Sequence, residues 1–129
     1  MKLVENNMQH NQRFVTLVKN KLGIVSEIQA QTVKKMLDES QKFYLIDVRE
    51  DSEWNAGYLP QAIHISKGLI ESKIENVIPD INATIILYCG GGYRSALAAF
   101  NLIEMGYKNV KSMAGGFRSW RESGFNIEG

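Results

Sequence analysis

Cys89 is the only cysteine of the chain, and its surroundings suit sulfur chemistry. The segment Tyr88-Cys89-Gly90-Gly91-Gly92-Tyr93-Arg94-Ser95 leads from the most strongly β-like run, Thr84 to Tyr88, straight into a helical run. Three successive glycines open left-handed conformations closed to other residues, so the loop can curl until several N–H groups converge on one point. The helix that follows adds its unpaired amides and the positive end of its dipole. With Cys89 at the mouth of such a nest, a thiol that ordinarily titrates near ~8.5 falls to about 3.5–7.5, which predicts a thiolate at neutral pH. The same donors would hold the outer sulfur of a persulfide. Arg94 adds a fixed positive charge and a forked donor set suited to an oxyanion such as a sulfonate.

Each feature alone has a plainer reading. A cysteine ending a buried strand usually behaves as a small hydrophobe, and a glycine-rich turn before a helix is often only a tight connection. Strand, cysteine, three glycines, arginine and helix in immediate succession favour a site.

The rest of the inventory narrows the chemistry. One cysteine excludes an internal disulfide and any zinc site needing two thiolates, and two histidines, His10 and His64, exclude a three-histidine metal site. The glycines do not match a dinucleotide fingerprint, and no Gly-Lys-Ser/Thr phosphate loop occurs. No metal and no cofactor are expected.

The elements that must position Cys89 alternate along the chain. Strand signals cover Ile24 to Ile28, Phe43 to Val48, Ala62 to Ile65, Thr84 to Tyr88 and Val110 to Met113. Helical signals cover Ala30 to Glu39, Asp51 to Asn55, Gly68 to Val77, Arg94 or Ser95 to Met105, and Phe117 to Glu122. Strands apolar on both faces, alternating with helices, predict an α/β fold: a mostly parallel central sheet between two helical layers. Ligands in such sheets sit beyond the carboxyl ends of the strands. Asp47 to Glu50 and Cys89 to Arg94 fall there.

Residues 1–23 stand apart as an amphipathic helical extension, with Met8, Phe14, Val15, Leu17, Val18 and Leu22 at roughly helical spacing. Packing on the main body is the expected role, and an exposed stripe would be consistent with a homodimer. Residues 24–129 form the expected main domain.

At 129 residues, 44% hydrophobic and 22% charged, the chain reads as one globular domain. Its net charge of +1 argues against a broad electrostatic surface for nucleic acid or anionic membrane. Unbroken apolar runs end at five residues, far short of the ~18 of a membrane span. The N-terminus lacks the apolar segment of a secretion signal, so a cytoplasmic location is expected.

Four segments together resemble the single-domain rhodanese (sulfurtransferase) family: Leu45 to Glu50, Glu53 to Pro60 leading to Ala62-Ile63-His64-Ile65, the loop Cys89 to Arg94, and Met113 to Phe117 with Trp120. The resemblance spans about Val25 to Ile127. It implies a rhodanese-like three-layer fold in which Cys89 takes a sulfane sulfur from thiosulfate or a persulfide. That sulfur then passes to a thiophilic acceptor: cyanide, a thiol or a protein thiol. Gly90, Gly91, Gly92, Tyr93, Arg94 and Ser95 would bind the transferred sulfur, and Asp47 and Arg49 would support the pocket or touch substrate. Tyr58 and Gln61 depart from the family's common histidine and glycine, in a connecting loop. His64 is expected as a packed residue outside the mechanism.

Two rivals remain. Phosphatases and arsenate reductases of the same fold carry one residue more between cysteine and arginine than the four here. The tighter loop fits a single sulfur atom. Rhodanese-like domains also serve as binding or sulfur-carrier modules, which often lack the cysteine that this chain keeps.

Overall fold

A computed structural model of the chain describes residues 10–129. In chain order the elements are α1 (Gln12–Leu22), β1 (Ser26–Ile28), α2 (Ala30–Asp38), β2 (Tyr44–Asp47), α3 (Asp51–Asn55) and β3 (Ile63–His64). A 3₁₀ turn (Lys67–Leu69) then runs into α4 (Ile70–Val77), followed by β4 (Ile85–Tyr88), α5 (Tyr93–Glu104), β5 (Val110–Met113) and α6 (Gly116–Glu122). Among the described residues the strands form one parallel sheet in the order β1-β5-β4-β2-β3, with helices on both sides.

The side-chain alternation of β4 divides the core in two. Ile85, Leu87 and Cys89 enter the cluster roofed by Ile70 and Ile74 of α4 and by Ala98, Ala99 and Leu102 of α5. Ile86 and Tyr88 enter the opposite cluster with Ala30 and Val33 of α2 and Trp120 of α6. All four residues of β4 are buried, which explains its uninterrupted apolar run.

Most element ends fall within a residue or two of the sequence expectation, and two of the differences have a clear local reason. The strand expected from Ile24 starts at Ser26, because the amides of Ile24 and Val25 both bond Lys21 O and close α1 instead of joining the ladder. The helix expected from Arg94 or Ser95 starts at Tyr93, because Gly92 takes φ +98° and turns the chain into the helix directly.

Helix α1 packs its apolar stripe on α5 of its own chain: Val15 and Val18 are buried with Tyr93 and Ala96, flanked by Phe14, Leu22 and Leu97. The stripe that suggested a homodimer is therefore covered from within, although Leu17 remains exposed. Met8, expected on the same stripe, lies outside the described residues. Among the described residues no helix is long and apolar enough to cross a membrane.

Candidate functional site

Strands β2 and β4 lie side by side, with Asp47 paired to Tyr88 and the Val48 amide donating to Tyr88 O at 2.9 Å. The two loops after these strands therefore leave the carboxyl edge of the sheet together, at the position where open α/β sheets place ligands.

In the second loop the chain curls back over the cysteine. The Gly92 amide donates to Cys89 Sγ at 3.1 Å and the Ser95 amide at 3.3 Å. The Ser95 hydroxyl stands 3.4 Å from the same sulfur and 2.8 Å from Ser112 Oγ, forming a fully buried row of sulfur and two hydroxyls. Cys89 is only 1% exposed. It lies on the floor of the loop rather than at the mouth expected from sequence.

The loop's shape is imposed from α6. The amides of Phe117 and Arg118 donate to the carbonyls of Cys89 (2.7 Å) and Gly90 (3.0 Å), which turns those carbonyls away from the sulfur. That close approach requires a glycine at 116: its φ is +52°, and a Cβ there would stand 2.3 Å from Cys89 O. Gly91 sits half-buried between the anchored Gly90 and the sulfur-facing Gly92. Tyr93 contributes a buried ring that packs under α1.

Arg94 does not stand open to an anion as its sequence context suggests. Its Nη1 and Nη2 fork onto Glu53 Oε1 (2.7 Å) and Oε2 (3.0 Å), with both side chains about one-third exposed. Glu53 foremost, with the Cys89 sulfur also in reach, holds the guanidinium still more firmly in its charged form. Reciprocally, the hydrogen bond from Arg94 keeps the Glu53 carboxyl below its ordinary range despite partial burial. Glu53 also accepts the Glu50 amide at 3.0 Å, tying the start of α3 to the site.

Asp47 and Arg49 form a second pair, buried beneath the first loop. Asp47 accepts the Arg49 backbone amide, Nε and Nη2 at 2.7 to 3.0 Å, and Arg49 Nη2 also donates to Gly57 O at 2.7 Å. The Arg49 guanidinium lies 4.2 Å from the Phe117 ring centroid. Burial opposes its charge, but the Asp47 contacts outweigh burial and raise its pKa. Burial, with Asp47 nearby, likewise pushes the Tyr88 phenol up, and its oxygen accepts the Leu59 amide at 3.1 Å. At 4% and 0% exposure, Arg49 and Asp47 are walled off by protein. His64 is half-buried with Nε2 2.8 Å from Arg49 O and its ring stacked 5.0 Å from Trp54.

The structure thus gathers Cys89, the loop from Gly90 to Ser95 and the Asp47–Arg49 pair at one sheet edge. It adds Glu53 and Ser112, to which sequence reasoning gave no role. Glu53 stands three residues after Glu50 at a helix start, the spacing of a reciprocal cap. Ser112 left a fainter signal, a hydroxyl within the short strand Val110 to Met113.

A family model described as the rhodanese-like domain matches residues 29–123. The Bacillus subtilis protein YtwF, provisionally named a sulfurtransferase, is 36% identical over 96 residues, covering 74% of this chain and 90% of its own. A rhodanese-like domain protein of Staphylococcus aureus superposes with a TM-score of 0.71 at 30% identity, over 81% of this chain and all of its own. A Rhodopseudomonas palustris protein of unknown function, described as a possible tyrosine phosphatase, shares the fold. It has a TM-score of 0.83 at 24% identity, over 89% of this chain and 93% of its own.

Proposed function

The chain belongs to the rhodanese-like domain family, and from that premise we propose that it is a sulfurtransferase working by double displacement through Cys89. The Cys89 thiolate attacks the outer sulfur of a sulfane donor. A new S–S bond forms, the donor's own S–S bond breaks, and its electron pair leaves with the rest of the donor. The resulting persulfide is then attacked at its outer sulfur by a second nucleophile, a thiol or, in assay, cyanide, which regenerates the thiolate. Splitting one transfer into two covalent steps predicts ping-pong kinetics.

The observation that carries this reading is the convergence of the Gly92 and Ser95 amides on Cys89 Sγ at 3.1 and 3.3 Å. Preorganised donors of this kind stabilise negative charge on a sulfur at no cost in reorganisation. In this reading the loop from Gly90 to Ser95 cradles the transferred atom, while Asp47 and Arg49 brace the adjoining loop without touching substrate.

Intact-mass measurement after exposure to a sulfane donor tests it. One added sulfur (~32 Da), removed by cyanide or dithiothreitol and absent in Cys89→Ala, is the expected result. A chain that takes up no sulfur from thiosulfate or from a persulfide would overturn it.

A further inference from the structure

The guanidinium groups gathered at this sheet edge all face carboxylates. Arg94 is forked onto Glu53 at 2.7 and 3.0 Å, and Arg49 onto Asp47. Arg118, whose amide holds Gly90 O, has its Nε 3.2 Å from Glu122. Glu53 lies against the sulfur loop: a Cβ built on Gly90 would meet Arg94 Nη2 at 3.1 Å and Glu53 Oε2 at 3.7 Å. The edge of the loop beside Cys89 therefore presents a matched positive and negative charge in place of an open cation.

Two chemistries of sulfane donor meet this edge differently. Thiosulfate carries two negative charges, and its sulfonate needs a guanidinium fork with room in it. Here both Nη atoms already serve Glu53, whose charge would repel the dianion. A persulfide on a thiol, R–S–SH or its conjugate base, brings at most one negative charge on the transferring group and no sulfonate, and its outer sulfur is the atom the loop amides are placed to receive. Resting on the sulfurtransferase reading above, we infer that Glu53 makes this site select a thiol-borne persulfide over thiosulfate by occupying the fork of Arg94.

The step balances without a further reactant. Cys89–S⁻ and R–S–SH give Cys89–S–SH and R–S⁻, the cleaved bond's electron pair leaving on the donor thiolate. With thiosulfate the leaving group is instead sulfite, a dianion released beside Glu53.

The test compares kcat/KM of the full chain for cysteine persulfide and for thiosulfate, with cyanide as acceptor. The unmodified chain is expected to prefer cysteine persulfide by about tenfold or more, and Glu53→Gln to raise the thiosulfate-to-persulfide ratio by about tenfold, chiefly through the KM for thiosulfate. Glu53→Asp, which keeps the charge, should hold that ratio near the unmodified value. A purely structural role for Glu53 would lower both donors together and leave the ratio alone. Thiosulfate preferred by the unmodified chain, or a ratio unmoved in a folded Glu53→Gln, would overturn the inference while leaving sulfur transfer intact. Should Glu53→Gln fail to fold, the unmodified chain's preference and Glu53→Asp decide the matter. Uptake from neither donor would instead remove the reading beneath it.

Discussion

The ring of Phe14 on α1 lies 5.8 Å from that of Tyr93 and within 23° of parallel, so a helix preceding the family-matched residues touches the loop that holds the sulfur. The His10 ring lies tilted against the same Tyr93 ring, 4.2 Å between centroids. Val18, fully buried between α1 and α5, anchors this contact. Val18→Ala should cost roughly 1–3 kcal/mol in urea unfolding. If α1 also steadies the loop, Phe14→Ala will speed alkylation of Cys89 by iodoacetamide at unchanged pH. A loss of stability with an unchanged alkylation rate would reduce α1 to a cover.

Arg49→Ala leaves the Asp47 carboxylate buried with its main partner gone and Gly57 O short of a donor. Breaking a buried pair from one side costs about 3–5 kcal/mol, a large share of a small domain's stability. Urea unfolding of the variant measures it. A pair that served the substrate instead would show the reverse pattern, with kcat/KM falling while the unfolding midpoint stayed in place.

Much of this architecture was legible in the sequence because its signals are local. The apolar run of β4, the three glycines and the helix behind them occupy consecutive positions, so one window contains both Cys89 and its amide donors. What escaped depends on contacts between distant segments. Arg94 and Glu53 are 41 residues apart, and only the side-by-side departure of the β2 and β4 loops brings the fork onto the carboxylate. Ser95 and Ser112 meet across α5 and β5 for the same reason. The grip of α6 on the carbonyls of Cys89 and Gly90 was equally hidden, since it joins the sulfur loop to a helix more than twenty residues further along the chain.

That grip by α6 makes Gly116 a sharp probe. Gly116→Ala would force a methyl against Cys89 O in a backbone conformation that L side chains rarely adopt. Sulfur loading should fall by an order of magnitude or more, because near-ångström displacements of positioned groups cost about that much or more in rate. Loading at the unmodified rate would mean that the loop holds its shape without α6.

Acid should act through Glu53. Its carboxyl titrates below the ordinary value of 4.5, chiefly because of Arg94, so the folded chain favours the charged form. The stabilisation is fully present above that ordinary value and disappears as pH falls through the lower folded one. With both side chains about one-third exposed, the pair contributes under about 1 kcal/mol. The stability gap between the unmodified chain and Glu53→Gln should close on acidification below pH 4.5. A gap that stays constant across that range would show that it comes from packing rather than charge.

The phosphatase rival makes an opposite demand on the same loop. A phosphate monoester brings a tetrahedral group with several oxygens, and its amide donors must converge above the sulfur to receive them. Here, with four residues between Cys89 and Arg94, the Gly92 and Ser95 amides converge on the sulfur itself. The guanidinium that would clamp the oxygens is engaged by Glu53. Incubation with p-nitrophenyl phosphate should therefore release no nitrophenol above background at protein concentrations that load sulfur readily. Hydrolysis that disappears in Cys89→Ser would show that the loop widens to accept an oxyanion, and sulfur transfer would no longer be the chemistry this geometry favours.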